Sequence, residues 1–271
     1  MKAKSKLLAL LLALVMVFSM AVPAFAADDK ATDTAPETTQ SAEPTESGPV
    51  ESSPAGEEDS SADAELKGTI VILHTNDVHG GIAGYAKVAA LKKSYEEKGA
   101  YVLLMDAGDY IQGDPTVSVS QGATAVELMN LAGYDLSALG NHEFDYGYEN
   151  LKQITKNAKF QIVSANVLYN GKVAFKDNVT FETEDGVKIG VFGLETPETA
   201  TKAHPAKIKG VTIPAGKEMF DIAQKQVDAL EADECDIIVC LGHLGIDDES
   251  EGNRSLDLLK EVKGIDLFID G

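Results

Sequence analysis

The stretch "TIVILHTNDVHGG", residues 69–81, opens the folded part of this 271-residue chain. Thr69 to Leu73 are five apolar or β-branched residues, the composition of a buried strand, and polar residues and glycine follow at once. The same cadence recurs downstream. Strand-like runs fall at 69–74, 101–106, 136–139, 161–166, 188–194, 236–241 and 265–269, and helix-like runs at 85–97, 122–132, 148–157, 215–231 and 254–262. In the fourth helical run Met219, Phe220, Ile222, Ala223, Val227 and Leu230 form an apolar stripe at helical spacing, which reads as a core face. Residues 175–194, "FKDNVTFETEDGVKIGVFGL", read instead as a hairpin turning at "EDG". Strand-helix-strand units with one antiparallel excursion predict a layered α/β fold with mixed sheets.

In open α/β folds ligands sit beyond the carboxyl ends of the strands. Those ends carry "HTNDVHGG" (74–81), "DAGDYIQG" (106–113), "GNHEFDYG" (140–147) and "DIIVCLGHLG" (236–245). They contribute Asp77, His79, Asp109, Asn141, His142, Asp145 and His243, from four stretches widely separated in sequence. Asp77 and His79 are two apart, so on an extended segment they face one side together. Each stretch alone is weak evidence: a D-x-H pair arises by chance, a strand-end Asp is often a turn former, and a single His is often a core residue. Four such stretches in order point to one site. Carboxylate and imidazole donors without thiolates suit Zn, Mn or Fe. A carboxylate such as Asp109 can bridge two ions with its two oxygens. Such an assembly looks like a two-metal hydrolytic centre, its ions about 3.5–4 Å apart, activating a water and clamping a transferring phosphoryl group.

On these residues the sequence resembles the calcineurin-like metallophosphoesterases: "DVH", "GDYIQG", "GNHEFDYG" and "GHLG" are similar to their successive motifs. "ILHTNDVHG" and "GNHEFDYG" resemble the secreted 5′-nucleotidase branch, which includes UDP-sugar hydrolases and 2′,3′-cyclic-nucleotide phosphodiesterases. The resemblance covers residues 69–271 and implies an α-β-β-α sandwich with a nucleotide phosphoester as substrate. It implies that Asp77 and His79 hold a first divalent ion, that Asp109 bridges both, and that Asn141 and His243 hold the second. His142, oriented by Asp145, would contact the substrate phosphate together with Asn141 instead of ligating. Asp106 competes with Asp109 for the bridge, and the family pattern "GD" points to Asp109. His74 reads as structural, and His204 sits in a loop without a partner that the sequence identifies.

In that family the pattern continues after the last strand with G-H-[S/T]-H, which completes both metal shells, and a C-terminal domain follows that holds the base. This sequence ends at Gly271, after "GIDLFIDG". The resemblance therefore implies a catalytic domain incomplete at its C-terminus, with three protein ligands per ion. The other readings are a non-catalytic remnant that binds metal or phosphate only, and sulfate-ester hydrolysis on the same scaffold.

Outside the domain, residues 1–26 read as a secretory signal peptide, with Lys2, Lys4 and Lys6 ahead of the apolar run Leu7 to Val22 and a cleavage site at Ala24-Phe25-Ala26. That run is short for a membrane span of about 20 residues, so export to the cell envelope or medium is expected, with no stable span after cleavage. Residues 27–67, rich in Ser, Thr, Pro, Glu and Asp, read as a disordered acidic linker. Residues 68–271 form the expected catalytic domain. Residues 1–26 carry +3 and residues 27–66 carry −11, so −13 of the chain's net −21 falls on residues 67–271. That charge argues against nucleic acid and anionic membranes as partners. Cys235 and Cys240 flank one strand-like run, roughly 16 Å apart if extended, too far for a bridge between them.

Overall fold

The computed structural model describes residues 65–271; the signal-peptide reading (1–26) and the acidic segment as far as residue 64 lie outside the described residues. In chain order the elements are β1 (Ile70–Thr75), α1 (Ala83–Glu97), β2 (Tyr101–Asp106), α2 (Pro115–Ser118), α3 (Ala123–Ala132), β3 (Leu136–Ser137), α4 (Tyr148–Thr155), β4 (Gln161–Ile162), β5 (Leu168–Tyr169) and β6 (Lys172–Val173). They continue with β7 (Asn178–Glu182), β8 (Lys188–Glu195), α5 (Thr199–Lys202), β9 (Val211–Thr212), α6 (Lys217–Ala232), β10 (Ile237–His243), α7 (Ser255–Glu261) and β11 (Leu267–Asp270). A 3₁₀ turn occupies Asn141–Phe144.

One sheet runs β1-β2-β3-β4, all parallel; the second runs β11-β10-β8-β7, with β7 antiparallel to β8. The parallel pairs have helical crossovers, as parallel pairing requires. An aspartate just ahead of one strand repeatedly accepts an amide of the neighbouring strand, from the residue just before the pairing of the two begins. Asp135 accepts the Leu104 amide at 2.7 Å, Asp236 that of Lys188 at 3.0 Å and Asp266 that of Ile238 at 2.9 Å. These bonds set strand order and register from one end of the sheets, and leave the other end to the site.

Alternation along the strands then builds three apolar layers. Val102 and Leu104 of β2 pack towards α1 and α3, while Leu103 and Met105 face the second sheet. Ile189 and Val191 of β8 and Val239 and Leu241 of β10 meet them from that sheet. Phe192, Leu194, Ile238 and Cys240 point the other way, onto Met219, Ala223, Val227 and Leu230 of α6 and Leu258 of α7. The result is the expected α-β-β-α sandwich with mixed sheets. Strands apolar on both faces are what a sheet covered on both sides demands. Each fully buried aliphatic side chain stabilises by about 1.5–3 kcal/mol.

Two expected strands are shorter than their runs. The run 161–166 leaves the first sheet after Ile162 and crosses to the second. There the Ala165 amide donates to the Gly193 carbonyl at 2.8 Å, and the Asn166 side chain brackets the backbone of Glu195 at 2.8 and 2.7 Å. The run 136–139 stops pairing at Ser137, and the chain turns towards Gly140, where the site begins. A small antiparallel sheet, β6-β5-β9, was not anticipated, because its two-residue strands carry no period. It helps enclose a satellite core of Leu139, Phe144, Tyr148, Leu151, Val167 and Ile213. Both cysteines are unpaired, Cys240 in the core and Cys235 half-buried. Among the described residues no helix is long and apolar enough to cross a membrane.

Candidate metal centre

The loops after β1 and β2 are bonded to each other through their backbones. The Asp77 amide donates to Gly108 at 3.0 Å, that of His79 to Asp109 at 2.9 Å, and that of Asp114 back to His79 at 3.0 Å. The contact bends the chain: Asp77, His79 and Asp109 have φ of 50°, 45° and 64°. Left-handed backbone costs an L-residue about 1–2 kcal/mol, so the fold holds three residues with strained backbone at one place. Gly113, at φ 119°, lets this happen, since a Cβ there would run into the His79 carbonyl. Gly140 plays the matching part on the next loop, where a Cβ would collide with the Asp109 carboxylate.

Asp77, His79, Asp109, Asn141, His142, Asp145 and His243 all line one cleft of about 370 Å³, joined by Lys202 and Ala203. The centre of the group is Asp109, which is nearly fully buried. Its Oδ1 accepts the His142 amide at 2.9 Å. Its Oδ2 lies 3.2 Å from Nε2 of His243 and 3.9 Å from Nε2 of His79, which is also 3.8 Å from Oδ1 of Asp77. One oxygen thus faces both histidines. Two overlapping donor groups share Asp109, namely His79–Asp109–His142 and Asp77–Asp109–His243, with ligand atoms within 4.8 Å of one another.

Electrostatics follow from this crowding of acids. Burial lowers the affinity of His243 for a proton, but the hydrogen bond and charge of Asp109, with Glu195 and Asp77 behind it, raise it to about 10. Burial raises Asp109, and the His243 contact outweighs that and holds its carboxyl below the ordinary value. In the metal-free protein the cleft therefore draws a proton onto His243 to offset its negative charge. Carboxylate oxygens and imidazoles around a site that attracts positive charge suit a divalent cation.

His142 and Asp145 form a separate unit on the 3₁₀ turn. Nδ1 of His142 donates to Oδ2 of Asp145 at 2.7 Å, and the His142 ring stands edge-on to His79, centroids 5.2 Å apart. Phe144, between them in sequence, is buried in the satellite core, which turns His142 and Asp145 outward.

Three residues that the sequence reading did not single out belong to this region. Glu143, fully buried, accepts backbone amides of Asp109 at 2.7 Å, Tyr110 at 2.9 Å, Ile111 at 3.3 Å and Gly140 at 2.6 Å. Burial, then the charge of Asp109, pushes its carboxyl up to about 8 against these donors. All four of these partners are donors, so the loops are shaped around the carboxylate form. Lys202 lines the cleft from α5, with Nζ 2.5 Å from Glu198, which accepts also from Ser250. Gln112 has its side-chain amide 3.1 Å from Nδ1 of His79. Glu143 lies within "GNHEFDYG" and offered a signal, a carboxylate next to a glycine turn; Lys202 offered none.

Asp106, the competing candidate for the bridge, does not line the cleft. It is fully buried, accepts from Thr75 Oγ1 at 2.5 Å and the Gly108 amide at 2.9 Å, and burial pushes it up to about 7. It braces the loop that carries Asp109. His74 lies in β1, where burial lowers its proton affinity, and His204 Nδ1 accepts the Ala206 amide at 3.2 Å.

Residues 70–271 match the family described as Calcineurin-like phosphoesterase. The chain is 31% identical over 252 residues to the trifunctional nucleotide phosphoesterase protein YfkN of Bacillus subtilis, covering 79% of this chain and 16% of that protein. It is 31% identical over 225 residues to the 5′-nucleotidase of Bos taurus, covering 74% and 37%. Among solved structures, the calcineurin-like phosphoesterase YfkN from B. subtilis superimposes with a TM-score of 0.63 at 29% identity, covering 74% of this chain and 70% of that one. A 5′-nucleotidase precursor from Thermus thermophilus gives 0.63 at 29%, covering 74% and 41%. The chain spans 16–40% of the length of the curated relatives it matches. With the fold, the motifs and the match over residues 70–271 in agreement, the chain belongs to the calcineurin-like phosphoesterase family.

Proposed function

We propose that this protein is a metal-dependent phosphoester hydrolase of the 5′-nucleotidase type, acting on nucleotides at a centre of two divalent cations. The observation that carries the reading is Asp109 Oδ2, placed between Nε2 of His79 and Nε2 of His243. Asp77 and His79 would hold one ion, Asn141 and His243 the other, and Asp109 both. Two such ions supply Lewis-acid charge at the phosphoryl oxygens and acidify the attacking water.

The chain's own residues do the rest. Glu143 and Gly140 fix the spacing between the Asp109 and Asn141 loops. Asp145 accepts the Nδ1 hydrogen of His142 and orients the ring; in the doubly protonated ring the Nε2–H would donate to the substrate phosphate beside Asn141 and give its proton to the departing oxygen. Lys202 adds a positively charged side chain, its proton held more firmly by the hydrogen bond to Glu198, for an anionic group of the substrate. Export through residues 1–26, with 27–67 as a solvated spacer and a catalytic domain from residue 68, completes the reading.

The test is to purify the protein, load it with Zn²⁺ or Mn²⁺, and follow phosphate release from AMP and p-nitrophenyl phosphate, with chelator and with Asp109→Asn. Chelator-sensitive release that Asp109→Asn abolishes is the expected result. Metal binding without release from either ester would favour the non-catalytic reading; failure to bind metal would sink both.

A further inference from the structure

The three histidines of the cleft each have Nδ1 engaged by another protein group. At His243 the partner is the Ala107 carbonyl, 2.9 Å away, and at His142 it is the Asp145 carboxylate at 2.7 Å. Neither partner has a proton to give, so both rings carry hydrogen on Nδ1 and, when neutral, turn an Nε2 lone pair to the cleft. His79 differs in kind. Its Nδ1 meets the side-chain amide of Gln112, with 3.1 Å to Nε2 of that amide. A glutamine amide donates through nitrogen or accepts through oxygen, and a half-turn exchanges the two without changing its shape.

The two orientations are not equivalent for the site. With the NH₂ group donating to Nδ1, the hydrogen of a neutral His79 sits on Nε2 and points at Asp77 and Asp109, 3.8 and 3.9 Å away. That tautomer has no lone pair to offer a cation. With Oε1 accepting, the hydrogen sits on Nδ1, and His79 matches the other two rings. We propose that Gln112 is a positioning residue of the metal centre: its Oε1 accepts the Nδ1 hydrogen of His79 and so fixes the tautomer whose Nε2 can take a cation.

The backbone supports this assignment. Gln112 is half-buried between the fully buried Ile111 and Gly113, whose left-handed backbone lies against the His79 carbonyl. The Asp114 amide bonds that same carbonyl at 3.0 Å, and the Ser118 hydroxyl donates to the Gly113 carbonyl at 3.2 Å. The residue is therefore held beside His79 from both sides, at the ring nitrogen opposite the one that faces Asp77 and Asp109. The inference rests on the reading of His79 as a ligand.

The experiment is a double-mutant cycle on Zn²⁺ affinity, read by competition with a chromophoric chelator, in the purified full chain. Gln112→Leu removes the acceptor and is expected to weaken binding roughly 10- to 100-fold. Gln112→Glu can only accept and should stay near wild type. In a His79→Ala background Gln112→Leu should have no further effect. Gln112→Leu binding as wild type, or weakening binding equally without His79, overturns the proposal, as does a Gln112→Glu variant that loses affinity as His79→Ala does. If His79→Ala itself leaves affinity unchanged, the ligand reading falls and the proposal falls with it; if His79→Ala weakens binding and Gln112→Leu does not, only the Gln112 assignment falls. Should Gln112→Leu fail to fold, Gln112→Ala takes its place with the same expected and overturning outcomes.

Discussion

Glu143 stands 34 residues from Asp109 in sequence, and its carboxylate accepts the Asp109 amide at 2.7 Å while the same oxygen takes the Gly140 amide at 2.6 Å. One buried side chain thus ties the loop after β2 to the loop after β3. It joins the loop that carries Asp109 to the loop that carries Asn141.

Glu143→Ala leaves four buried amides without their acceptor, at about 1–3 kcal/mol for each that water does not reach. We expect a loss of stability above about 3 kcal/mol in urea denaturation, together with loss of metal binding. A loss below about 1 kcal/mol would show that the two loops hold without the clamp.

Metal affinity should rise with pH. A cation at Nε2 of His243 has to displace the proton that Asp109 holds there up to about pH 10. Each unit of pH from 6 to 8 should then tighten Zn²⁺ by up to about tenfold, measured by chelator competition; a flat profile would contradict the protonated pair. The stability of the metal-free protein has the opposite sign on this side. With the His243 value raised above 6.5, its contribution is complete below that pH and is lost as pH rises through about 10. On the acid side the lowered value of Asp109 means that its contribution is present above 3.8 and disappears as pH falls further.

His142 and Asp109 should separate chemistry from ligation. His142→Ala is expected to lower turnover by roughly 10²-fold or more with metal content intact. Asp109→Ala should empty the centre, because both donor groups contain it. Metal analysis of the two variants decides, and a metal-depleted His142→Ala protein would move His142 into the ligand set.

Lys202→Ala should raise KM for a phosphoester about tenfold or more, the worth of one charge-assisted hydrogen bond, and change kcat little. Steady-state kinetics at several salt concentrations test it. An unchanged KM would mean that Lys202 stays with Glu198 and does not meet substrate.

Secreted protein should begin near Ala27, after the small residues Ala24 and Ala26. N-terminal sequencing that returned Met1 would replace export and cleavage with an uncleaved anchor.

What the sequence by itself determined are the features that repeat at short range. Val102 to Met105, Ile189 to Leu194 and Ile238 to Leu241 read as strands because burial on both faces needs unbroken apolar runs. Asp77, His79, Asp109, Asn141, His142, Asp145 and His243 read as one group because each stands where such a run gives way to glycine-rich polar chain, and parallel strands bring those ends together. Only the tertiary structure decided the parts that depend on distant partners. Asp106 and Asp109 look alike in "DAGD", yet Asp106 turns inward to Thr75 and Asp109 outward to His79 and His243. Glu143 clamps a loop 34 residues away, and Gln112 reaches back 33 to His79. Lys202 enters the cleft from a four-residue helix with no motif. Local patterning encodes which face of a chain is buried, because that is settled by neighbours at two or four residues; which side chains then meet across the buried layers is settled by packing alone.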